Sequence, residues 1–374
     1  MEKYSIQVYG YNFSSVLTTL TFGYDFYNFE YKIEVSKAGG AKFTMEAKNL
    51  KATPTNLKMY NRVVIYKGTV PKFVGYIEKL DVTLNEISIE CIGLLGLFKK
   101  RLHSGTFNST TAQAAFYSIL TTLNAANDTE VEAGEVDVNL SIDELEFIRT
   151  QVFSAWDKLA SQAEAEYQIR PALDVSGNLH FYLDFKYQLG SDKTDSVYLR
   201  YLSSQINSAT IVDFQVEVDG GDIVNKVTGV TKNGAGSTLT STQQDAASIV
   251  EFGQLEDTVS FSETLSQTDL DTETAAHVNQ HKDEIYTPKI AIDLVKIDES
   301  NISLGDLVRV DLNNGFVVLS ENNRVLRKTI KLSQNGNEEI TVTIQPEGAN
   351  LLPSSFFSSI VDIENRVRQL ESTS

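Results

Sequence analysis

The chain is predicted to be mainly β with α+β inserts, on three observations. Apolar and polar residues alternate strictly in several segments, turn-forming pairs recur at short intervals between them, and only a few stretches carry helical spacing. Tyr4, Ile6 and Val8 alternate with polar partners. Phe29, Tyr31, Ile33 and Val35 do so against Glu30, Lys32 and Glu34, and Ile87, Ile89 and Cys91 repeat the pattern. A period of two puts successive side chains on opposite faces, so these are half-buried strands. Gly39-Gly40, Lys67-Gly68 and Asn85-Glu86 are turn signals, which predicts antiparallel hairpins closing into a barrel or sandwich as a first β domain over residues 1–102. That domain ends at the basic run Lys99-Lys100-Arg101.

Residues 103–205 read as an inserted α+β domain. Thr110 or Thr111 can cap a helix whose Phe116, Ile119, Leu120 and Leu123 form one apolar stripe. A second helix follows Ser154, with Ser154 and Asp157 spaced as a capping box and Trp156, Leu159, Ala160 and Ala163 on its buried face. Between them, 127–144 is acid-rich and poor in aromatics, which predicts a solvated loop. A hairpin is expected from Tyr167 to Phe185, turning at Ser176-Gly177-Asn178.

A second β domain is predicted over 206–346, with an insert around 231–287. It opens on Val212, Phe214, Val216 and Val218 alternating with polar residues. The Gly-, Ser-, Thr- and Asn-rich run 231–242 predicts a flexible excursion, and a helix is expected from about Thr272 to Ile285, ended by Pro288. Strands then resume at 290–295, 307–312 and 326–332, the last joined through Asn335-Gly336 to 340–344 in a type I′ turn. Two β regions with helical inserts suggest an internal duplication of architecture. In 347–374, Phe356, Ile360, Ile363, Val367 and Leu370 recur in steps of four and three, the seam of a short coiled coil. Two readings stay open: an oligomerisation seam between copies, or an amphipathic helix on its own barrel.

The 374 residues carry 32 basic and 50 acidic side chains, a net charge of −18, so the overall field repels nucleic-acid phosphate and anionic lipid. A DNA-reading role is excluded on that ground. The apolar run from Cys91 to Phe98 is far shorter than the about 20 residues of a membrane-spanning helix, and no secretory signal pattern opens the chain. Synthesis and folding in a cytosol are expected. The single cysteine, Cys91, allows no intrachain disulfide and reads as a small buried hydrophobe.

No catalytic constellation emerges. Gly234-Ala235-Gly236-Ser237 lacks the lysine of a phosphate-binding loop, and His103 and His180 have no nucleophile elbow or reactive cysteine to work with. His277 and His281 stand one helical turn apart, but Val278 occupies the position where a zinc protease carries Glu, and only Asp283 or Glu284 offers a third ligand. Asp219-Gly220-Gly221-Asp222 lacks the ligand series of a calcium loop and reads as a turn. The expectation is no enzyme activity, no cofactor and no metal.

Several passages resemble the tail hub, or baseplate hub, family of long-tailed bacteriophages, which is shared with contractile injection machines. Asn61-Arg62-Val63-Val64-Ile65-Tyr66 followed by Phe73-Val74-Gly75-Tyr76-Ile77 is similar to its aromatic-x-Gly-x-Ile strand pair. Ala155-Trp156-Asp157-Lys158-Leu159-Ala160 with the hairpin ending Gly177-Asn178-Leu179-His180-Phe181 resembles its inserted domain. Ile223-Val224-Asn225-Lys226-Val227 and Ala247-Ser248-Ile249-Val250-Glu251-Phe252-Gly253 resemble its second barrel. Leu304-Gly305-Asp306-Leu307-Val308-Arg309-Val310 and Arg324-Val325-Leu326 resemble its Gly-Asp turn and the strand before its last hairpin.

The resemblance spans roughly residues 1–346 and implies a homotrimer. The two antiparallel β-barrel domains per chain that it implies, over 1–102 and 206–346, would make a ring of six that adapts a sixfold tail tube or distal tail ring to a threefold tip. It places the protein at the distal end of a virion tail, with tail tube or distal tail proteins and tip, fibre or receptor-binding proteins as partners. Phage DNA would pass through the lumen without specific binding, and host-recognition functions would lie in other proteins. The alternatives are the hub of a contractile bacterial injection system, or a glycan-binding or glycan-cleaving protein suggested by aromatic-rich strands such as Tyr24 to Tyr31.

Overall fold

The computed structural model describes residues 4–125, 130–203, 208–232, 237–261, 266–283, 285–333 and 335–346. Among them strands dominate, and two compact units separate: residues 4–213 with 290–344, and residues 214–289 with 345–346.

The first unit begins with β1 (Tyr4–Tyr9), β2 (Val16–Thr21), β3 (Tyr27–Glu34), β4 (Lys37–Glu46), β5 (Arg62–Lys67), β6 (Val70–Val82) and β7 (Glu86–Gly93). The alternation in β1 is real: Tyr4, Ile6 and Val8 are buried. β5–β6 turns at Gly68 (φ +60°), and β6–β7 turns where Thr83 N donates to Glu86 O, both as the turn signals predict. Gly39-Gly40 does not make a turn. The chain reverses at Val35-Ser36, and Gly39 sits inside β4 at a register shift against β3 with φ +65°. A Cβ there would lie 2.5 Å from Lys32 O, so the glycine serves a bulge and not a hairpin tip. Tyr4, Phe29, Tyr31, Phe26 and Phe43 pack ring against ring at 5.4–6.3 Å on the buried side.

A short 3-10 helix, Leu94–Lys100, buries Leu94, Leu95, Leu97 and Phe98 and leads into the inserted segment. Here follow β8 (Leu102–Thr111), α1 (Ala112–Asn124), β9 (Val131–Val136), β10 (Ser141–Gln151), α2 (Val152–Gln162), β11 (Glu166–Leu173) and β12 (Leu179–Lys186). Thr111 caps α1 by accepting from Ala114 N, and its stripe of Phe116, Ile119, Leu120 and Leu123 is buried. α2 starts earlier than its sequence signals suggest. Val152 is buried and its N–H donates to Arg101 O, so Ser154 lies inside the helix and Asp157 is free to accept from the Tyr167 hydroxyl. Much of the acid-rich stretch is strand and not loop: β9 pairs in parallel with β12, with Val131 opposite Phe181 and buried beside it, and β10, which pairs with β8, begins at Ser141. Trp156 is the hub of this core, 4.9 Å from Phe98 and 6.3 Å from Phe116 by ring centroids.

β13 (Tyr198–Leu202) returns to the large sheet, and β14 (Ile211–Asp219) leads out to the second unit. Within β14, Val212 is 61% exposed, so the face expected to be buried is open to solvent there. The second unit holds β15 (Lys226–Lys232), β16 (Thr238–Gln244), α3 (Ala246–Phe252), β17 (Glu256–Ser260) and α4 (Gln267–His281), and the chain leaves through β18 (Ile285–Ile292). β15 and β16 form an antiparallel pair in full register from Lys226↔Gln244 to Lys232↔Thr238, so most of the expected excursion is ordered sheet. α4 begins at Gln267 because Ser266 and Asp269 form a reciprocal capping box, and it ends at His281, leaving Pro288 inside β18.

β19 (Leu307–Asn313), β20 (Val318–Leu332) and β21 (Glu338–Pro346) complete the first unit's sheet, whose order includes β21-β20-β3-β4-β7-β6-β5-β1-β2, with β19 on β20 and β13 on β19. β20 is used twice: residues 318–324 pair with β19, and residues 327–332 pair with β3. The two β regions of the sequence therefore share one hydrogen-bonded sheet. Among the described residues this path is open and does not close into a ring. The β20–β21 connection is longer than the two-residue turn expected from Asn335-Gly336. Gly336 N donates to Ser333 O and Ser333 N donates to Asn337 O, and only Gly336 of the pair has positive φ. The residues 347–374, with Phe356, Ile360, Ile363, Val367 and Leu370, lie outside the described residues.

Candidate functional site

Two polar centres stand out in the first unit, each built from residues far apart in sequence. The first fastens the inserted segment to the sheet. Glu166 at the start of β11 accepts both guanidinium arms of Arg324 on β20, at 2.5 and 2.8 Å, and also the Leu189 N–H at 2.9 Å. Arg324 donates further to Leu189 O and Gly305 O. The Gly-Asp turn noted in the sequence completes the joint. Asp306 accepts from Ser191 N at 2.8 Å and Ser303 N at 2.7 Å, tying the residues after β12 to those before β19. Gly190 and Gly305 meet here with φ near +76° and +79°. A Cβ on Gly190 would lie 2.3 Å from Asp306 N, and one on Gly305 would lie 2.2 Å from Leu189 O, so two backbones approach where no side chain fits.

The second centre joins the first and last strands. Lys328 on β20 is buried, and its three donor positions are taken by Glu299 Oε1 (2.8 Å), Glu299 O (2.9 Å) and Ile302 O (2.9 Å). Lys67 on β5 bridges Glu299 at 3.1 Å and Glu338 on β21 at 2.8 Å, and the Tyr4 hydroxyl donates to Glu338 at 2.7 Å. Burial works against ionisation of Glu299, yet Lys328, Lys72 and Lys67 hold its carboxyl down at about 2. Burial lowers the Lys328 ammonium below the usual lysine range, and burial with the Tyr31 and Glu338 neighbours raises the Tyr4 phenol far above its own. Such a cluster, with its donors and acceptors matched, pins strands and offers no loose group for acid–base work.

The other candidates do not converge. Cys91 is buried in β7 and burial pushes its thiol up, so it is no nucleophile. His103 is buried with Nδ1 on Thr122 Oγ1. His180 faces Glu132 at 2.8 Å and Asp174 at 3.4 Å through opposite ring nitrogens, and the Glu132 hydrogen bond raises its pKa. His277 and His281 stack with centroids 4.2 Å apart on α4. Among the described residues, no cluster of three or more His, Cys, Asp or Glu is placed to hold a metal, and no helix is long and apolar enough to cross a membrane.

Glu166 and the Lys328–Glu299 pair escaped the sequence reading. A signal for Lys328 existed: it stands two residues before Ile330 and four before Leu332, both buried, so period-two spacing alone puts a charge on the buried face. Nothing local marks Glu166, whose partner is 158 residues away.

No protein-family profile matches the chain, and no curated protein matches it in sequence. Solved structures do share its fold. A 43 kDa tail protein of prophage MuSo2 from Shewanella oneidensis aligns with a TM-score of 0.64 at 13% identity, covering 93% of this chain and 100% of that one. A tail protein from Neisseria meningitidis aligns at 0.63 and 12%, covering 93% and 98%. The Escherichia coli c3393 protein is a type VI secretion component described as similar to T4 tail proteins gp27 and gp5. It aligns at 0.51 and 10%, covering 87% of this chain and 74% of that one. The fold is thus that of phage tail proteins and of a hub-like secretion component.

Proposed function

We propose that this chain is a structural hub subunit of a phage tail tip or baseplate that works through protein contacts and catalyses no reaction. The observation that carries the reading is the shared fold along 93% of the chain with tail proteins that are themselves matched over 98–100% of their length. The buried joints agree with it. Glu166–Arg324 and the Lys67–Glu299–Lys328–Glu338 cluster stiffen the connections between segments, as a part that transmits load between rings requires.

In this reading three copies assemble. The two β regions, taken as barrel-type domains over 1–102 and 206–346, supply six similar modules facing a sixfold tail tube or distal ring. The segment 103–205 is the inserted domain. Within 347–374, Phe356, Ile360, Ile363, Val367 and Leu370 bundle the three chains toward the tip. The net charge of −18 suits a lumen through which DNA passes without adhering. Fibre and receptor-binding proteins attach beyond it, and the assembled virion tail is its location. A second reading, the hub of a contractile injection system, rests on the likeness to c3393.

Light scattering on the full chain at high concentration tests the stoichiometry: the expected mass is three times 41.5 kDa. A stable dimer or tetramer would overturn the trimer. Six averaged β modules around the axis of a tail particle would support the adaptor arrangement, and a monomer with a substrate-filled cleft would end it.

A further inference from the structure

We propose that the groove between α1 and the outer edge of β9 is a docking site for an extended, basic segment of a partner protein, which pairs with β9 as an added strand. The inference goes beyond the hub reading and stands if that reading falls. Among the described residues β9 is hydrogen-bonded to β12 alone and ends its three-stranded sheet, so its outer backbone edge is open. Beside that edge runs an open groove of about 530 Å³. Tyr117, Leu120 and Thr121 of α1 form one wall, and Val131, Glu132 and Ala133 of β9 form the other. Three consecutive strand residues line it, so the strand presents its edge and not one face alone.

The groove is held in shape by its surroundings. Phe116, Ile119 and Leu123 are wholly buried and fix the inner side of α1, and Arg101 donates to the Leu123 carbonyl at 2.7 Å. Tyr117, 43% exposed, is left on the rim above Leu120 and Val131, a floor suited to an aliphatic side chain. Asn124 Nδ2 donates to the Val131 carbonyl at 2.6 Å and joins helix to strand at one end. A site ordered before binding loses little entropy when it is filled. The middle of the strand is Ala133-Gly134, whose small size leaves the backbone unshielded by β9's own side chains. Pairing with β12 is regular from Val131 to Ala133 and shifts before Val136, so the edge accepts a short segment. Main-chain hydrogen bonds to that edge supply affinity, and the apolar floor selects the anchor.

Charge selects the occupant. Glu132 and Glu135 are held from β12 by His180 and Lys186, at 2.8 Å each, yet their side chains remain 53% and 64% exposed. Glu130 adds a third exposed carboxylate just before the strand. Opposite charges on neighbouring strands stabilise the pairing and like charges oppose it, so the added strand carries Lys or Arg around its apolar anchor. A second copy of this chain, with its net charge of −18, is disfavoured by the same field.

The test is hydrogen exchange, read by mass spectrometry on the full chain, with and without an end-blocked synthetic peptide of sequence Lys-Val-Lys-Leu-Lys-Val-Lys. The expected result is slower amide exchange within 131–133 when the peptide is added in excess. The same peptide methylated at every backbone nitrogen keeps its charge and side chains but has no donors, and its Glu-for-Lys counterpart reverses the charge; neither should protect the strand. Thr121 is exposed, and Thr121→Arg, which puts a bulky cation in the groove, should weaken binding of the lysine peptide by about tenfold. Val250→Arg, on the exposed side of α3, should leave it unchanged. Far-UV circular dichroism checks that each variant is folded. Equal protection by the methylated peptide would reduce the effect to charge attraction and overturn the proposal. Unprotected 131–133 amides in excess lysine peptide, or unchanged affinity in folded Thr121→Arg, would overturn it too. So would protection without peptide that grows with chain concentration, since a second copy would then fill the groove.

Discussion

The two units of this chain are held by different chemistry. In the first, large aromatic rings fill the interior: Trp156, Tyr4, Tyr31, Tyr76, Tyr167 and seven phenylalanines are almost wholly buried, and charged groups inside such as Glu166, Glu299 and Lys328 are paired. In the second, the enclosed groups are aliphatic or polar, with no buried aromatic ring among the described residues. Val227, Leu270 and Thr274 are buried, while Asn225 donates to Gly253 O at 2.7 Å and Ser248 Oγ at 3.3 Å and accepts from Leu255 N at 2.8 Å. A segment of about 76 residues cannot bury the apolar area available to a larger one, so side-chain hydrogen bonds to turns carry a greater share of its order. The contrast teaches that one chain can combine a frame set by packing with an excursion set by hydrogen bonds.

Removing the aromatic hub should break the first unit hardest. Trp156→Ala is expected to cost about 3–5 kcal/mol in denaturant unfolding, since it empties the space between Phe98, Phe116 and Tyr167. A loss under about 1 kcal/mol would mean that this core collapses around the gap and that the contrast is weaker than drawn.

The Glu166–Arg324 joint comes next. Arg324→Met alone should cost about 3 kcal/mol, because the Glu166 carboxylate stays buried without its partner, whereas adding Glu166→Gln should restore part of it. Additive losses in the double-mutant cycle would deny the coupling.

A pH effect separates the units further. The Glu299 carboxyl is held at about 2 in the folded chain against an ordinary 4.5. Its contribution is complete above pH 4.5 and is lost as pH falls through 2, amounting to about 3 kcal/mol across that window. Glu299→Gln should flatten the acid limb of the stability curve in the first unit. An acid limb of identical slope in parent and variant would assign acid sensitivity to other groups.

The smallest effect is expected in the second unit. Asn225→Ala should cost about 1–2 kcal/mol, read as faster amide exchange for Leu255 and the rest of β15–β17. Unaltered exchange there would show that packing, and not hydrogen bonding, orders this unit too.

The amino-acid sequence by itself determined the local elements. Alternation placed β1, β3 and β7, the 3.6-residue stripe and Thr111 placed α1, and Gly177 placed the β11–β12 turn, because periodicity, caps and positive φ act over a few residues. Short-range signals misled where they competed: Gly39 suits a bulge as well as a turn, and an acid-rich run still became β9 once Val131 could pair beside Phe181. Tertiary structure alone decided that β20 would be shared between β19 and β3 and that Glu166 would meet Arg324. It also buried Lys328 against Glu299. Strand partners and buried charge pairs are chosen by the closure of long loops and the desolvation of distant groups, energies that no local window of residues contains.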